Sequence, residues 1–379
     1  MTLIAFGDPR ESDTHSAALE KICRKVIFVP NDLRSLSSSK DYIHRILQLR
    51  SEVPYGAAVS HSSEMAQQIE GFLRRREIDA VLCEQTDLAI NLPASLSVPL
   101  ITDFHNVDYL ILERYLQFER NPGKRFYAWA ESKRVRNWER KICQAATVAL
   151  VCSAHDGELL ARMCPATRIF VVPNIVDVNH YQPRGGEDQR RIIFQGGMDW
   201  YPNRDAVEFF ATSILPIVRQ QVPAAQFCIA GRNPAPEFVQ RLSNIPNVKF
   251  TGTVPDMRAE IGGSAISVVP LRIGSGTRLK ILEAAAMAKP IVSTRLGAEG
   301  LDFVDGKEIV LEDEPKRFAN AVAALLGNQQ RREELGVAAR ARAESQYSIP
   351  ALRRALLTAM RLIVETDGRK KKEDTVMAN

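Results

Sequence analysis

Apolar runs of strand length, each followed by a longer amphipathic stretch, recur along nearly the whole chain. This alternation constrains the fold more than any other feature. LIAF, KVIFV, DAVLC, PLITDF, ATVALVCS and RIFVVPN read as strands in the first half, and RIIFQG, QFCIAG, VKFTG, ISVVPL, PIVST and EIVL in the second. Segments such as RDAVEFFATSILPIVRQQ (204–221) and EPKRFANAVAALLGNQQ (314–330) repeat apolar residues at helical spacing. Strands that alternate with helices require parallel sheets covered by helices on both faces. The strands are almost wholly apolar, as they must be when both faces of a parallel sheet are buried. The fold class is α/β.

A chain of 379 residues is long for one domain. Residues 174–191, NIVDVNHYQPRGGEDQRR, lose apolar periodicity and carry Pro183, Gly185 and Gly186, as linkers do. The expected layout is an N-terminal domain over 1–180, a linker over 181–190 and a second α/β domain over 191–346. A C-terminal helix over 347–366, returning to the N-terminal domain, and a disordered basic tail over 367–379 complete it. Two such domains would face each other across a cleft at the carboxyl ends of their strands. The N-terminus lacks the pattern of a signal peptide and no apolar run approaches membrane-spanning length, which points to a cytoplasmic protein. Six cysteines without a CxxC pair and six histidines without ligand-like spacing predict free thiols and no metal site. A formal charge of +5 is compatible with several anionic partners and selects none.

The stretch PLRIGSGTRLKILEAAAMAKPIVST (270–294) runs from strand through glycine loop to helix to strand. It lacks the Gly-Lys-Ser/Thr ending of a Walker loop, and Leu279 stands where a dinucleotide loop has its third glycine. The ingredients of an anion site are nevertheless present. Gly274 and Gly276 permit close backbone approach, Ser275 and Thr277 carry hydroxyls, and Arg278 and Lys280 bring charge to a helix N-terminus. A plain strand-to-helix turn with solvated basic residues accounts for the same pattern. Glu283, framed by Leu279, Leu282 and three alanines, either pairs with Lys280 at i, i+3 or accepts hydrogen bonds from a sugar.

Taken together, IIFQGGMDWYPNRDAVEFF, ILPIVRQQVPAAQFCIAG, NVKFTGTVPDM and ISVVPLRIGSGTRLKILEAAAMAKPIVSTRLGAEGL closely resemble the donor-binding domain of the family 4 glycosyltransferases. VVPNIVDVNHYQP resembles the family's strand, Pro-Asn and hinge segment. The resemblance implies the GT-B architecture, two Rossmann-like domains with parallel sheets facing a central cleft, and transfer of a sugar from a nucleotide-sugar donor with retention of configuration. The donor, UDP- or GDP-linked, would be a substrate, with no cofactor and no metal. The acceptor would be a saccharide or a lipid-linked saccharide, in the subgroup that builds exopolysaccharides or glycolipids.

Site roles follow position by position from the same resemblance. Glu283 matches the second glutamate of the family's Glu-seven-residues-Glu motif, which holds the ribose. Gly196 and Gly197 match the glycine turn beside the donor phosphates. Gly231 and Arg232 lie in the loop near the base, and Thr253 and Val254 in the segment that meets the base edge. Gly274, Ser275, Gly276 and Thr277 would face phosphate and sugar. Two departures stand out: Ser275 occupies the place of the motif's first glutamate, and Met198 and Asn203 stand where many relatives have Arg and Lys. Arg278 and Lys280 are the residues that would supply the phosphate charge instead.

In the first half, ITDFHNVD puts His105 just past a strand's carboxyl end. The residues alone read it as structural; the resemblance makes it a contact to the donor sugar. The opening loop 8–15 lacks the family's Gly-Gly pair and has only Gly7 beside it. GKRFYAWAESKRVRNWERK (123–141) interleaves seven basic residues with Phe126, Tyr127, Trp129 and Trp138. Such a helix either packs its aromatics inward or lies as a peripheral contact on an anionic membrane, which would put the protein at the inner face. No nucleic-acid module is recognisable. A nucleotide-sugar epimerase of the same architecture and an inactive nucleotide-binding module remain the competing functions.

Overall fold

The computed structural model describes residues 1–7, 19–31 and 44–361. The opening loop 8–15 and the tail 367–379 lie outside them, as does the end of the C-terminal helix, which is helical from Ile349 to Arg361. The chain divides into two compact units. One holds 1–151 and 157–170; the other holds 152–156 and everything from Val171 onward.

The N-terminal unit contains strands β1 (Thr2–Phe6) and β2 (Lys25–Val29), paired in parallel, and a four-stranded sheet of β3 (Val81–Glu84), β4 (Leu100–Phe104), β5 (Val148–Val151) and β6 (Arg168–Val171) in that order. β3, β4 and β5 pair in parallel, with Glu84 beside Asp103 and Phe104 beside Val151. Phe104, Val107, Cys143, Ala149, Val151 and Leu160 form a buried core between sheet and helices.

The C-terminal unit is one six-stranded parallel sheet: β7 (Asp188–Gln195), β8 (Gln226–Ala230), β9 (Val248–Gly252), β10 (Ser264–Val269), β11 (Ile291–Ser293) and β12 (Val310–Leu311). The spatial order is β12-β11-β10-β7-β8-β9. From β7 the chain winds outward through β8 and β9; it then returns to β10 and winds the other way. This is the doubly wound order of dinucleotide-type sheets, and it creates a crevice where β7 and β10 lie side by side. Phe194, Phe210, Phe227 and Phe318 fill the core, with Phe210 and Phe227 ring centroids 4.4 Å apart.

Most sequence-read elements are present, with one interruption. The stretch expected as a single helix over 204–221 is α-helical at Tyr201–Phe209, takes a π-turn at Phe210–Ile214 and resumes at Leu215–Gln221. Pro216 has no N–H to return to the preceding turn, and the backbone widens where that bond is missing, Leu215 N–H reaching Phe210 O. Helix Pro315–Leu326 begins cleanly because Pro315 needs no donor and the Glu314 carboxylate accepts from Lys316 and Arg317 N–H.

Candidate nucleotide site at the switch point

β7 ends in Phe194-Gln195 and runs straight into Gly196-Gly197. Gln195 is buried at the seam between the central strands: its Nε2 donates to Lys280 O at 3.0 Å, and its Oε1 accepts from Ser267 Oγ of β10 at 3.4 Å. Two glycines then let backbones meet. A Cβ on Gly231, after β8, would lie 1.9 Å from Gly196 O. A Cβ on Gly196 would sit 2.8 Å from Asn203 Nδ2 and 3.0 Å from Lys280 Nζ. Neither position tolerates a side chain, which is the physical content of the glycine turn.

Asn203 and Lys280 are the turn's polar partners. Asn203 Nδ2 donates to Gly197 O at 2.8 Å, and Lys280 Nζ donates to Asn203 Oδ1 at 2.8 Å. The same ammonium lies 3.8 Å above the Phe194 ring. Burial pushes Lys280 down to about 7; Arg278 adds to that and Glu283 opposes it. Met198, at a position where many relatives carry Arg, points into the core at 1% exposure and so brings no charge to the site.

The 270–278 loop is shaped by Gly274 and Gly276 at φ of +146° and +72°. Arg278 is buried and turned back on this loop, its Nη1 donating to the carbonyls of Ser275 and Gly276. A Cβ on Gly274 would lie 2.6 Å from the guanidinium, so glycine is what lets Arg278 fold against the loop. Arg278 therefore braces the loop. Lys280 is the cation beside the glycine turn. Arg272 grips Asp205 with two hydrogen bonds, 2.7 and 3.1 Å, tying this loop to helix Tyr201–Phe209. Thr277 Oγ1 accepts from Asn174 at 2.6 Å.

Glu283 lies in helix Leu279–Ala286, one turn beyond Lys280, among Ile281, Leu282 and three buried alanines. Its Oε1 accepts from Tyr181 Oη at 3.1 Å. Burial pushes the carboxyl up, countered by the Tyr181 hydrogen bond, the Lys280 charge and a hydrogen bond from Gln195. Tyr181 in turn is pushed up to about 12 by burial and by Glu283. Lys280 makes its hydrogen bond to Asn203 rather than to Glu283. At the crevice's other side, Arg232 and Thr253 are exposed and Val254 is half-buried, in the loops after β8 and β9.

The structure thus brings together Gly196, Gly197, Asn203, Gly231, Lys280 and Glu283 at one end of one sheet. Tyr181, Gln195 and Asn174 join them unforeseen by sequence reasoning. A glutamine ending an otherwise apolar strand just before Gly-Gly was a visible signal. Tyr181 gave none, because its partner lies 102 residues away. His105 belongs to the other unit. It follows β4, with Nε2 3.3 Å from Asp103 Oδ2, a hydrogen bond that raises its pKa above the ordinary imidazole value against the effect of burial.

A doubly wound parallel sheet whose switch point combines a glycine turn with a half-buried lysine and a half-buried carboxylate defines a nucleotide-type binding unit, in a chain that also holds a second α/β unit. Residues 16–180 match the family described as Glycosyltransferase Family 4, and residues 189–328 match Glycosyl transferases group 1. The chain belongs to the family 4 glycosyltransferases, with the GT-B type of fold.

Among solved structures, it is similar to sucrose-phosphate synthase from Thermosynechococcus elongatus, at 13% identity and TM-score 0.68 over 97% of this chain and 100% of that one. HepE of Anabaena, solved with UDP and glucose, is similar at 12% identity and TM-score 0.61 over 95% and 99%. TarM is matched at 15% identity and TM-score 0.63, over 79% of this chain but only 57% of TarM. In sequence, 138 residues are 24% identical to an uncharacterised 44.6 kDa protein in the cps region of Klebsiella pneumoniae, spanning 35% of this chain and 36% of that relative.

Proposed function

We propose that the protein is a retaining glycosyltransferase that moves a sugar from a nucleotide-sugar donor to an acceptor hydroxyl. The observation that carries this reading is Glu283, a carboxylate held at the switch point by Tyr181 and Gln195, one turn from Lys280. A half-buried carboxylate beside a glycine turn suits paired ribose hydroxyls. The lysine and the N-terminus of helix Leu279–Ala286 suit the diphosphate.

In the reaction, the bond between the anomeric carbon and the diphosphate oxygen breaks, and its electron pair leaves with the nucleoside diphosphate. The acceptor oxygen bonds to the anomeric carbon on the same face, and its proton passes to a phosphate oxygen. Negative charge grows on the leaving diphosphate, where Lys280 and the backbone N–H groups of the glycine loops stabilise it without a metal. The donor is UDP- or GDP-linked. The acceptor is a saccharide or lipid-linked saccharide of polysaccharide or glycolipid synthesis, a reading supported by the relative from a cps region. The reaction is cytoplasmic.

A thermal-shift screen against nucleoside diphosphates and nucleotide sugars tests the donor site, since a ligand that binds the native state raises its melting temperature. Incubation of the stabilising donor with saccharide acceptors then tests transfer. No stabilisation by any nucleotide would sink the reading. Isomerisation of the donor without transfer would replace it with an epimerase.

A further inference from the structure

Helix Pro122–Ala145 of the N-terminal unit sorts its side chains by charge in a way that folding of this unit does not require. Its two acids face inward. Glu131 is buried, accepting from Tyr55 N–H at 2.6 Å and pairing with Arg134, and Glu139 is fully buried, accepting from Asp108 N–H at 2.7 Å. Trp138 is buried as well, its indole N–H donating to Thr86 O at 3.0 Å. The outward stripe at three- and four-residue spacing reads Phe126, Trp129, Lys133, Arg136 and the half-buried Arg140, with Lys124 and Arg125 exposed at its start and Lys141 exposed at its end. Phe126 is 62% exposed and Trp129 47%, their ring centroids 5.9 Å apart. Lys133 Nζ lies 3.8 Å over the Trp129 ring. Two acids of the preceding segment lie near this stripe: Glu119, engaged by Tyr115 and by Asn121 N–H, and the exposed Glu113, which like Arg136 acts on Tyr109.

We infer that this face is a peripheral docking surface for an anionic lipid bilayer, with Phe126 and Trp129 entering the headgroup region and the basic stripe pairing with lipid phosphates. Adjacent exposed aromatics are costly on a solvated face and are the residue types that seat an interfacial helix. The acid-free basic stripe fixes the sign of the partner. No helix among the described residues is long and apolar enough to cross a membrane, so any attachment through this face is peripheral. The inference stands independently of sugar transfer, because it uses no residue of the switch-point site.

The test is co-sedimentation of the full chain with vesicles of phosphatidylcholine alone and of phosphatidylcholine with phosphatidylglycerol. Binding is expected to the anionic vesicles only, falling with salt as surface charge is screened. Phe126→Ala and Trp129→Ala should each weaken binding about tenfold. Lys133→Glu with Arg136→Glu should weaken it about fivefold or more per site. Trp129 emission should shift to the blue on binding, and Trp129→Phe should lose that shift while still sedimenting. All these positions are exposed, so unchanged melting temperatures will separate lost docking from lost folding. Equal binding to neutral vesicles, or full binding by the Phe126→Ala, Trp129→Ala double variant, overturns the inference. Preference for an RNA oligomer over vesicles, abolished by the same substitutions, also overturns it and gives the face to nucleic acid.

Discussion

Glu283→Gln should make the protein more stable and worse at binding nucleotide. The amide keeps the shape of the side chain and an oxygen to accept from Tyr181 at the 3.1 Å contact. What it removes is a charge that burial disfavours, as the upward displacement of the Glu283 pKa records. Relief of that cost is worth about 1 kcal/mol, typical of substitutions that relax a functional site, or ~2–4 °C in a unit of this size. Binding should move the other way. Hydrogen bonds from two ribose hydroxyls to a carboxylate are each worth about 1.5–3 kcal/mol, and a neutral acceptor keeps about half. A total loss of about 2–3 kcal/mol weakens the nucleoside diphosphate about 30- to 150-fold.

pH separates this account from mere repacking. The folded-state pKa is raised, so the stability tied to the protonated carboxyl is fully present below the unfolded pKa and is lost as pH rises through the folded one. The thermal advantage of the glutamine variant must therefore appear near neutral pH and vanish on acidification through the carboxylate range. Calorimetric melting at a series of pH values, with titration calorimetry of UDP and GDP, measures both effects. Wild-type affinity in the variant would refute the site, and a pH-independent loss of stability would refute the electrostatic reasoning.

Gly231→Ala should abolish soluble folded protein, because its Cβ would overlap Gly196 O; Gly185→Ala, with open space around it, is the silent control, read by expression and melting. Lys280, pushed down to about 7, is about half neutral at pH 7 and should take up about half a proton when a diphosphate binds, seen as buffer-dependent enthalpy in titration calorimetry. Lys280→Met should abolish that uptake. The depressed lysine also means that stability rises with pH from about 7 to the unfolded value, a slope the Met variant should flatten in urea melts. In the N-terminal unit, Glu139→Leu should cost about 1–3 kcal/mol in urea denaturation by orphaning Asp108 N–H, whereas Glu139→Gln keeps the acceptor and should cost far less.

Much of the fold was readable because parallel strands must be apolar on both faces. The run Ile192–Phe194 announces a central strand by composition alone, and Glu314-Pro315 announces a helix start. The site was half readable. Gly196, Gly231 and Gly274 show in sequence as glycines, but only coordinates reveal that Gly231 is forced by a carbonyl and Gly274 by a guanidinium. Arg278 illustrates the limit from the other side: its charge marked it as a phosphate residue, but nothing in the sequence told that it is buried with Nη1 on two nearby carbonyls, bracing the loop. Trp129 and Trp138 are nine residues apart with similar neighbours, yet one is buried and hydrogen-bonded and the other exposed. Which face of a helix packs is decided by the other elements, and no local pattern contains that information.

The stretch that leaves the N-terminal unit touches the candidate site twice, through Asn174 on Thr277 and Tyr181 on Glu283. Both contacts use acceptors that a nucleotide sugar would want. Occupancy of the crevice and the freedom of the connecting chain are thereby written into one equilibrium: whatever loosens the connector must change ligand affinity, and the ligand must change the connector by the same factor. Tyr181→Phe is the simplest way to read that reciprocity. Removing one hydroxyl should alter nucleotide affinity and the proteolytic sensitivity of residues 174–191 together, and a change in only one of them would show that the two are uncoupled.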